Sequence, residues 1–329
     1  MCTSLTYEDL DGMWYLARTM DFNFDLGGRP VIIPRHYHFK SDVSEAGFSG
    51  DYGFVGTGRD LNGYILVDGV NEKGLGVAEL YFVGQAQYAA QAVPDKTNVA
   101  PHELLMWLLG NVACVADLPQ AMAHVNVVSA ANAFMQIVVP LHWIVADATG
   151  ACAVIEITQN GVNVYDDPAG VMTNSPDFNW HLMNLNNYTQ LQALPHSDKK
   201  FGDYAAQSYG AGSGALGLPG DYTSVSRFVR AAFTRQYAQK TKGQAASINN
   251  IVHMLDNVNI PKGVKLLDNN KCDFTQYRAY FDLSRHAYFL QLAENTEITK
   301  VALTETALNA TAAQEFPIAH EQAFIEPQK

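Results

Sequence analysis

The stretch CTSLTYEDLDGMWYLARTM, residues 2–20, constrains the fold more than any other part of the chain. Two runs rich in β-branched and aromatic residues, CTSLTY and MWYLARTM, flank EDLDG, which ends in a turn-favouring Asp-Gly pair. They read as the arms of a β-hairpin with a five-residue loop over 8–12. The turn fixes antiparallel register, so residues whose numbers sum to 20 face one another. Tyr7 then faces Met13, and Cys2 faces Arg18. Cys2, directly behind Met1, thereby acquires a cation as cross-strand neighbour.

Further strands are expected in VIIPRHYHF, YGFVGTG, YILVDGVN and GLGVAELYFV, punctuated by Gly and Asn/Asp. A helical hairpin follows, with Pro101 near the first turn of HELLMWLLGN, Gly110 at its end and Asp117 capping PQAMAHV. HWIVADATGACAVIEI reads as two strands around Asp147–Gly150, continued by GVNVYDD. In SVSRFVRAAFTRQYAQ, Val225, Phe228, Val229, Ala232 and Phe233 fall at helical spacing behind a Thr223 or Ser224 cap. INNIVHMLDNV reads as another helix, and strands around YRAYFDL, AYFLQL and ITKVAL close the chain. Strand runs separated by helix pairs give an α+β expectation, with helices layered on largely antiparallel sheets. No linker or repeat divides the 329 residues, so one domain over 1–329 is expected. The segment 186–221 is irregular and Gly-rich, and a loop that long in a compact domain is functional or an assembly element.

A hydrophobic content of 48% with 16% charged residues fits a folded globular chain. The net charge of −12, without any Lys/Arg cluster, argues against a nucleic-acid partner. The longest apolar stretch, 133–146, is broken by Gln136, Pro140 and His142 and is too short to span a bilayer. The N-terminus lacks the basic segment and apolar run of a signal peptide, so a cytoplasmic location without a membrane partner is expected. Cys2, Cys114, Cys152 and Cys272 are too widely spaced for a disulfide framework or a zinc site. Cys114 and Cys152 lie among apolar residues and read as buried hydrophobes. His36 and His38 share a face of one expected strand as a solvent-facing pair, and neither metal nor cofactor is expected. Gly212-Ser-Gly-Ala-Leu-Gly217 satisfies G-x-G-x-x-G, but Pro219 and Gly220 interrupt any following helix, so it reads as a loop. The serine in Gly210–Gly214 stands one place late for a hydrolase elbow.

Cys2 has a sharper case. A thiol of pKa about 8.5 is only a few per cent thiolate at neutral pH and needs an activator. Removal of Met1, which the small side chain at position 2 permits, would leave an α-amine of pKa about 7.7–8.0 on the same residue, able to take the thiol proton. Arg18 would favour the thiolate, and Asp21 could hold or orient the amine. Asn174, in the Thr-Asn-Ser-Pro turn of MTNSPDFNW, can offer a side-chain amide to an oxyanion. Arg227 lies on the first turn of the helix that follows LPGDYT. Singly these are strand, turn and surface residues; together they supply a nucleophile, a base, an oxyanion donor and fixed positive charge.

Long ordered motifs extend this over essentially the whole chain: MCTSL, ARTMDF (17–22), DGVNEKGLGVAEL (68–80), MTNSP (172–176), NLNNY (184–188), LGLPGDYTSVSRFVR (216–230) and NIPKG (259–263). In these the sequence resembles the choloylglycine hydrolases, the bile salt hydrolases and penicillin V acylases among the N-terminal-nucleophile hydrolases. The resemblance implies a four-layer αββα sandwich, loss of Met1, and hydrolysis of a non-peptide amide through a thioester. It implies Cys2 as nucleophile and base, Asp21 orienting its amine, and Arg18 and Arg227 around the thiol. It further implies that Asn174 donates its amide to the oxyanion with the backbone N–H of Tyr81 as companion. The 186–221 excursion is implied to reach a neighbouring subunit of a homotetramer. Position 81 is typically Asn in bile salt hydrolases and often Tyr in penicillin V acylases, and NIPKGVKL is also similar to the latter. A ring there narrows the pocket and suits a phenoxyacetyl group, so penicillin V acylase is the expected activity. Bile salt hydrolysis, another N-acyl amide such as an acyl homoserine lactone, and a non-catalytic binding role are the alternatives. YTSVSRF lacks the Pro often found after Thr, and Glu79 adds a negative charge near the site; both departures bear on specificity.

Overall fold

The computed structural model describes residues 1–25, 27–132 and 134–327; Ala133, where the 133–146 apolar stretch begins, lies outside them. Strands β1 (Cys2–Glu8) and β2 (Trp14–Phe22) form the expected hairpin. Its loop is 9–13, one residue later than the sequence suggests. Asp9 causes the shift: its Oδ1 accepts the amides of Asp11 and Met13, each at 2.9 Å. Paired numbers therefore sum to 22, with Cys2 facing Met20, Ser4 facing Arg18 and Tyr7 facing Tyr15. A shift of two leaves every side chain on its expected face, so Arg18 remains on the side of Cys2.

The hairpin sits inside a six-stranded antiparallel sheet ordered Val171–Met172, β1, β2, Phe274–Asp282, Ala287–Leu292, Thr299–Ala302. A nine-stranded sheet runs Gly161–Asp166, Cys152–Thr158, Leu141–Ala146, Gly76–Tyr81, Asp68–Asn71, Phe54–Asp60, Arg29–Ile33, Gln314–Glu315, with Tyr64–Leu66 beside Phe54–Asp60. One core joins the facing sides of both sheets through Leu5, Leu16, Val70, Leu80 and Ile144, and continues to Phe228, Ile251 and Leu255 of helices Ser224–Tyr237 and Gln244–Asp256. A second core lies on the outer face of the nine-stranded sheet, where Val77, Trp143 and Ile155 meet Leu105, Leu108 and Leu118 of helices Leu104–Asn111 and Leu118–His124. The layers are thus helix, sheet, sheet, helix, the αββα sandwich of N-terminal-nucleophile hydrolases.

Local details refine the sequence reading. Thr223 caps the Ser224–Tyr237 helix by accepting the Ser226 amide at 3.3 Å. Pro101 opens a 3-10 turn, Pro101–Glu103, that precedes the Leu104–Asn111 helix. Gly110 answers to packing: a Cβ there would lie 2.9 Å from the Cα of Gly50. Asp117 stands at the start of Leu118–His124 without capping it, and accepts from the Cys114 thiol instead. Cys114 and Cys152 are half-buried rather than fully enclosed. His36 and His38 do not share a strand: His36 turns the chain at φ 58°, and only His38 enters the two-residue strand His38–Phe39. Gly212 opens a single 3-10 turn, Ser213–Ala215, and no α-helix. The excursion holds one short hairpin, Lys199–Phe201 with Tyr204–Ala206. Among the described residues no single helix is long and apolar enough to cross a membrane.

Candidate active site

Cys2 opens β1 and is 3% exposed. Its Sγ accepts from Nη2 of Arg18 at 2.9 Å, although Arg18 stands two positions along the ladder. A long side chain bridges that diagonal. The backbone nitrogen of Cys2 donates to Oδ1 of Asn174 at 2.7 Å, and its carbonyl accepts from Nη1 of Arg227 at 2.6 Å. Arg227 also donates from Nη2 to the same Asn174 oxygen at 2.9 Å. Asn174 in turn donates from Nδ2 to the Tyr81 carbonyl at 2.7 Å. Cys2 and four residues from four other stretches of the chain therefore form one connected hydrogen-bonded group.

Two placements differ from the expected ones. With Met1 in place, the Cys2 nitrogen bonds to Asn174 rather than to Asp21. The Asp21 carboxylate accepts from Thr275 Oγ1 at 2.6 Å and Thr19 Oγ1 at 3.2 Å, and lies 3.7 Å from Arg227. Thr19 also receives the Thr3 amide at 3.1 Å, so Asp21 reaches β1 through a hydroxyl. Tyr81 presents its carbonyl to Asn174, which occupies one of the two hydrogens of that amide. The Met1 amine donates to the Asp21 carbonyl and stands 3.7 Å from Asp273.

Charge is concentrated here against a buried background. Burial disfavours the Arg18 guanidinium, but the fields of Cys2, Tyr277 and Asp68 outweigh it and hold its pKa above the ordinary value. For Arg227 burial wins over Asp21 and Cys2, and the pKa is lowered. Burial works against the negative charge expected of Glu79. It is 6% exposed, its Oε2 has no hydrogen-bond partner, and burial pushes its pKa well above the usual carboxyl range. Tyr81 packs edge-on against Phe22, ring centroids 5.8 Å apart, and so places an aromatic pair beside the site.

Sequence reasoning missed the supports beneath these groups. Imidazole nitrogens hold consecutive carbonyls at Asn174: His142 Nε2 on Thr173 and His181 Nε2 on Asn174, each at 2.8 Å. His142 stacks on Phe82, and His181 on Phe228. Asp68 lies under Arg18 at 3.4 Å; the only sequence signal for it was its place at the head of the motif 68–80. Asp42, His102 and Glu103 bring metal-ligand atoms within 4.8 Å of one another. The Glu103 oxygens there are already taken by the amides of Ala100 and Asp42 and by Ser41 Oγ, which makes the group a loop anchor.

The model of the linear amide C–N hydrolases, choloylglycine hydrolase family, matches residues 2–316. A bile salt hydrolase/transferase of Lactiplantibacillus plantarum is 34% identical over 325 residues, covering 98% of this chain and 99% of the relative. The solved R18L variant of conjugated bile acid hydrolase from Clostridium perfringens superposes with a TM-score of 0.92 at 30% identity, covering 99% of this chain and 100% of that one. Penicillin V acylase of Pectobacterium atrosepticum is more distant, 24% identical over 336 residues with 92% of this chain and 81% of the relative covered. That order reverses the one expected from Tyr81. Along nearly its whole length the chain belongs to the choloylglycine hydrolase family and is a hydrolase of linear C–N amide bonds.

Proposed function

We propose that this chain is a conjugated bile acid hydrolase, cleaving the amide between a steroid acyl group and an amino acid. The observation that carries the substrate class is full-length identity of 34% to a bile salt hydrolase/transferase. The chemistry follows from the site. Once Met1 is removed, the Cys2 amine takes the thiol proton and the sulfur attacks the amide carbon. The Arg18 contact at 2.9 Å favours the attacking anion, and Asn174 with the Tyr81 N–H stabilises the tetrahedral oxyanion. The C–N bond then breaks, the leaving amine takes the proton from the Cys2 ammonium, and water hydrolyses the thioester. Arg227 holds the Cys2 carbonyl and Asn174 in place for these steps, and Asp21, 3.7 Å from Arg227, orients the freed amine. The 186–221 excursion serves to assemble a homotetramer.

A second reading is penicillin V acylase, favoured by the edge-on Tyr81–Phe22 pair as a wall for a phenoxyacetyl group. Turnover of glycocholate and penicillin V by one preparation, with intact mass recorded alongside, separates the two. The expected result is a chain lacking Met1 that prefers glycocholate and is inactive as Cys2→Ala. Preference for penicillin V would replace the substrate assignment; turnover by Cys2→Ala would remove the mechanism.

A further inference from the structure

Each arginine that touches Cys2 has a buried carboxylate beside it. Arg227 has Asp21; Arg18 has Asp68, to which the mechanism above gives no role. Asp68 is fully buried at the start of strand Asp68–Asn71. Its Oδ2 accepts from the Tyr277 hydroxyl at 2.7 Å and from Arg18 Nη1 at 3.4 Å. Its Oδ1 accepts from the Tyr288 hydroxyl at 2.5 Å and the Thr57 amide at 3.1 Å. The four donors come from four strands, three in one sheet and one in the other: Arg18, Tyr277 and Tyr288 from the six-stranded sheet and Thr57 from the nine-stranded one. The other edge of the same guanidinium rests on the Cys2 sulfur. Burial, followed by the charge of Asp68, keeps both phenols protonated and therefore donating.

Resting on the reading of Cys2 as nucleophile, we propose that Asp68 is a positioning residue: it fixes the Arg18 guanidinium so that its free edge stays on the attacking sulfur. A carboxylate is required because it accepts on every side. An amide at this place would turn an N–H either toward Arg18 or toward the Thr57 amide, and neither of those groups can accept. The remaining anchors of Arg18 are the carbonyls of Val67 at 3.0 Å and Thr19 at 3.4 Å and the Met20 sulfur at 3.4 Å, all uncharged.

The groups acting on the thiol are Arg18 and Asp21 from β2, Tyr277 from Phe274–Asp282, Arg227 from the Ser224–Tyr237 helix, and Asp273 beside the Met1 amine. Asp68 acts on it across Arg18, with the Glu79 carboxyl, which burial pushes toward its neutral form, on the same side, and the amine of Cys2 joins them when Met1 is gone. Among the described charged groups only Arg18 donates a hydrogen bond to the sulfur. Displacing it outweighs the loss of the more distant Asp68 charge, because Coulomb energy falls with separation.

Alkylation of Cys2 by iodoacetamide as a function of pH, read by peptide mass spectrometry, tests this without requiring turnover. Asp68→Asn should raise the midpoint of the alkylation profile by about one pH unit or more. It should lower kcat by roughly tenfold or more with KM changed by less than about twofold. In an Arg18→Lys background the same substitution should move the midpoint no further, since Asp68 acts through the guanidinium. An unmoved or lowered midpoint, or independent effects of the two substitutions, would overturn the proposal. If Asp68→Asn does not fold, Tyr288→Phe removes one donor while keeping every charge, and a smaller rise is expected; no rise there counts against the assignment. Turnover by Cys2→Ala would sink the nucleophile reading instead, and the thiol titration would still report on Asp68.

Discussion

A buried carboxyl group alters a nearby thiol only to the extent that it is charged, and burial pushes Glu79 toward its neutral form. Its side chain lies across the ladder from Trp143, and its burial outweighs the field of Arg18 and the contact of the Trp143 indole. The unfolded carboxyl titrates near 4.5, and the folded one well above that. Between the two values the folded state carries one more proton than the unfolded state, so stability falls as pH rises through that window. Glu79→Gln is neutral at every pH and removes the dependence. Its melting temperature should differ least from the parent near pH 4 and gain on the parent as pH rises to 8. The kcat/KM at neutral pH should stay within about twofold, because no charge is lost from the site. A melting-temperature difference independent of pH would show that Glu79 ionises inside the fold.

The segment that carries Asn174 shows the same logic for an element. Strand Val171–Met172 pairs with β1, and the turn beyond it is held through carbonyls by His142 and His181. Burial first, with lesser repulsion from His142 and Arg227, lowers the His181 pKa from 6.5 to about 4. The imidazole is therefore neutral at working pH and donates from Nε2. As pH falls from 6.5 to 4, the unfolded chain takes up a proton that the folded chain refuses, and the stability present above 6.5 is progressively lost. Thermal melts across that range should show a shallower acid loss in His181→Gln, whose amide can still donate to Asn174. His181→Ala leaves that carbonyl without its donor and should reduce kcat by roughly tenfold, the equivalent of about 1.4 kcal/mol. The elements most legible from sequence were those whose signals are local. The Thr223 cap and the Phe228/Val229 face of the helix needed only spacing along the chain. The hairpin arms were equally plain, but the register was missed because Asp9 captures two loop amides, a side-chain choice that no periodicity reports. Cys2, Arg18, Asp21, Asn174 and Arg227 could be singled out because the chemistry of a nucleophile names its partners, and the structure brings Arg18, Asn174 and Arg227 into contact with Cys2. Asp68 and His142 were not, since their bonds run to groups far along the chain, Asp68 to Tyr277 across 209 positions and His142 to Thr173 across 31; His181 reaches back seven positions to Asn174, through a turn with no periodic signal.

At the scale of the whole molecule, the 186–221 excursion is the part of the chain that its own fold explains least. Phe201, Tyr204 and Tyr209 are 64%, 71% and 96% exposed, and Leu194 and Leu216 stand out beside them. Apolar side chains exposed together on one segment mark an interaction surface. Asp198, Lys199, Lys200 and Asp203 stand exposed among them with balanced charge, so a second copy of the chain, carrying the same mixture, fits it better than a partner of one charge sign. The excursion also leads directly into the site: Asp221 accepts from Ser226 Oγ at 2.5 Å and from Thr223 Oγ1 at 2.6 Å, tying its end to the helix that carries Arg227. Sedimentation velocity should therefore show a tetramer for the parent chain. Phe201→Asp combined with Tyr204→Asp should shift it to smaller species, since burying two carboxylates in an apolar contact costs more than the contact returns. The fold of each subunit should survive, because both side chains project from a surface hairpin rather than from either core. A parent chain that sediments as a monomer, or a double variant that stays tetrameric, would remove the excursion from the assembly.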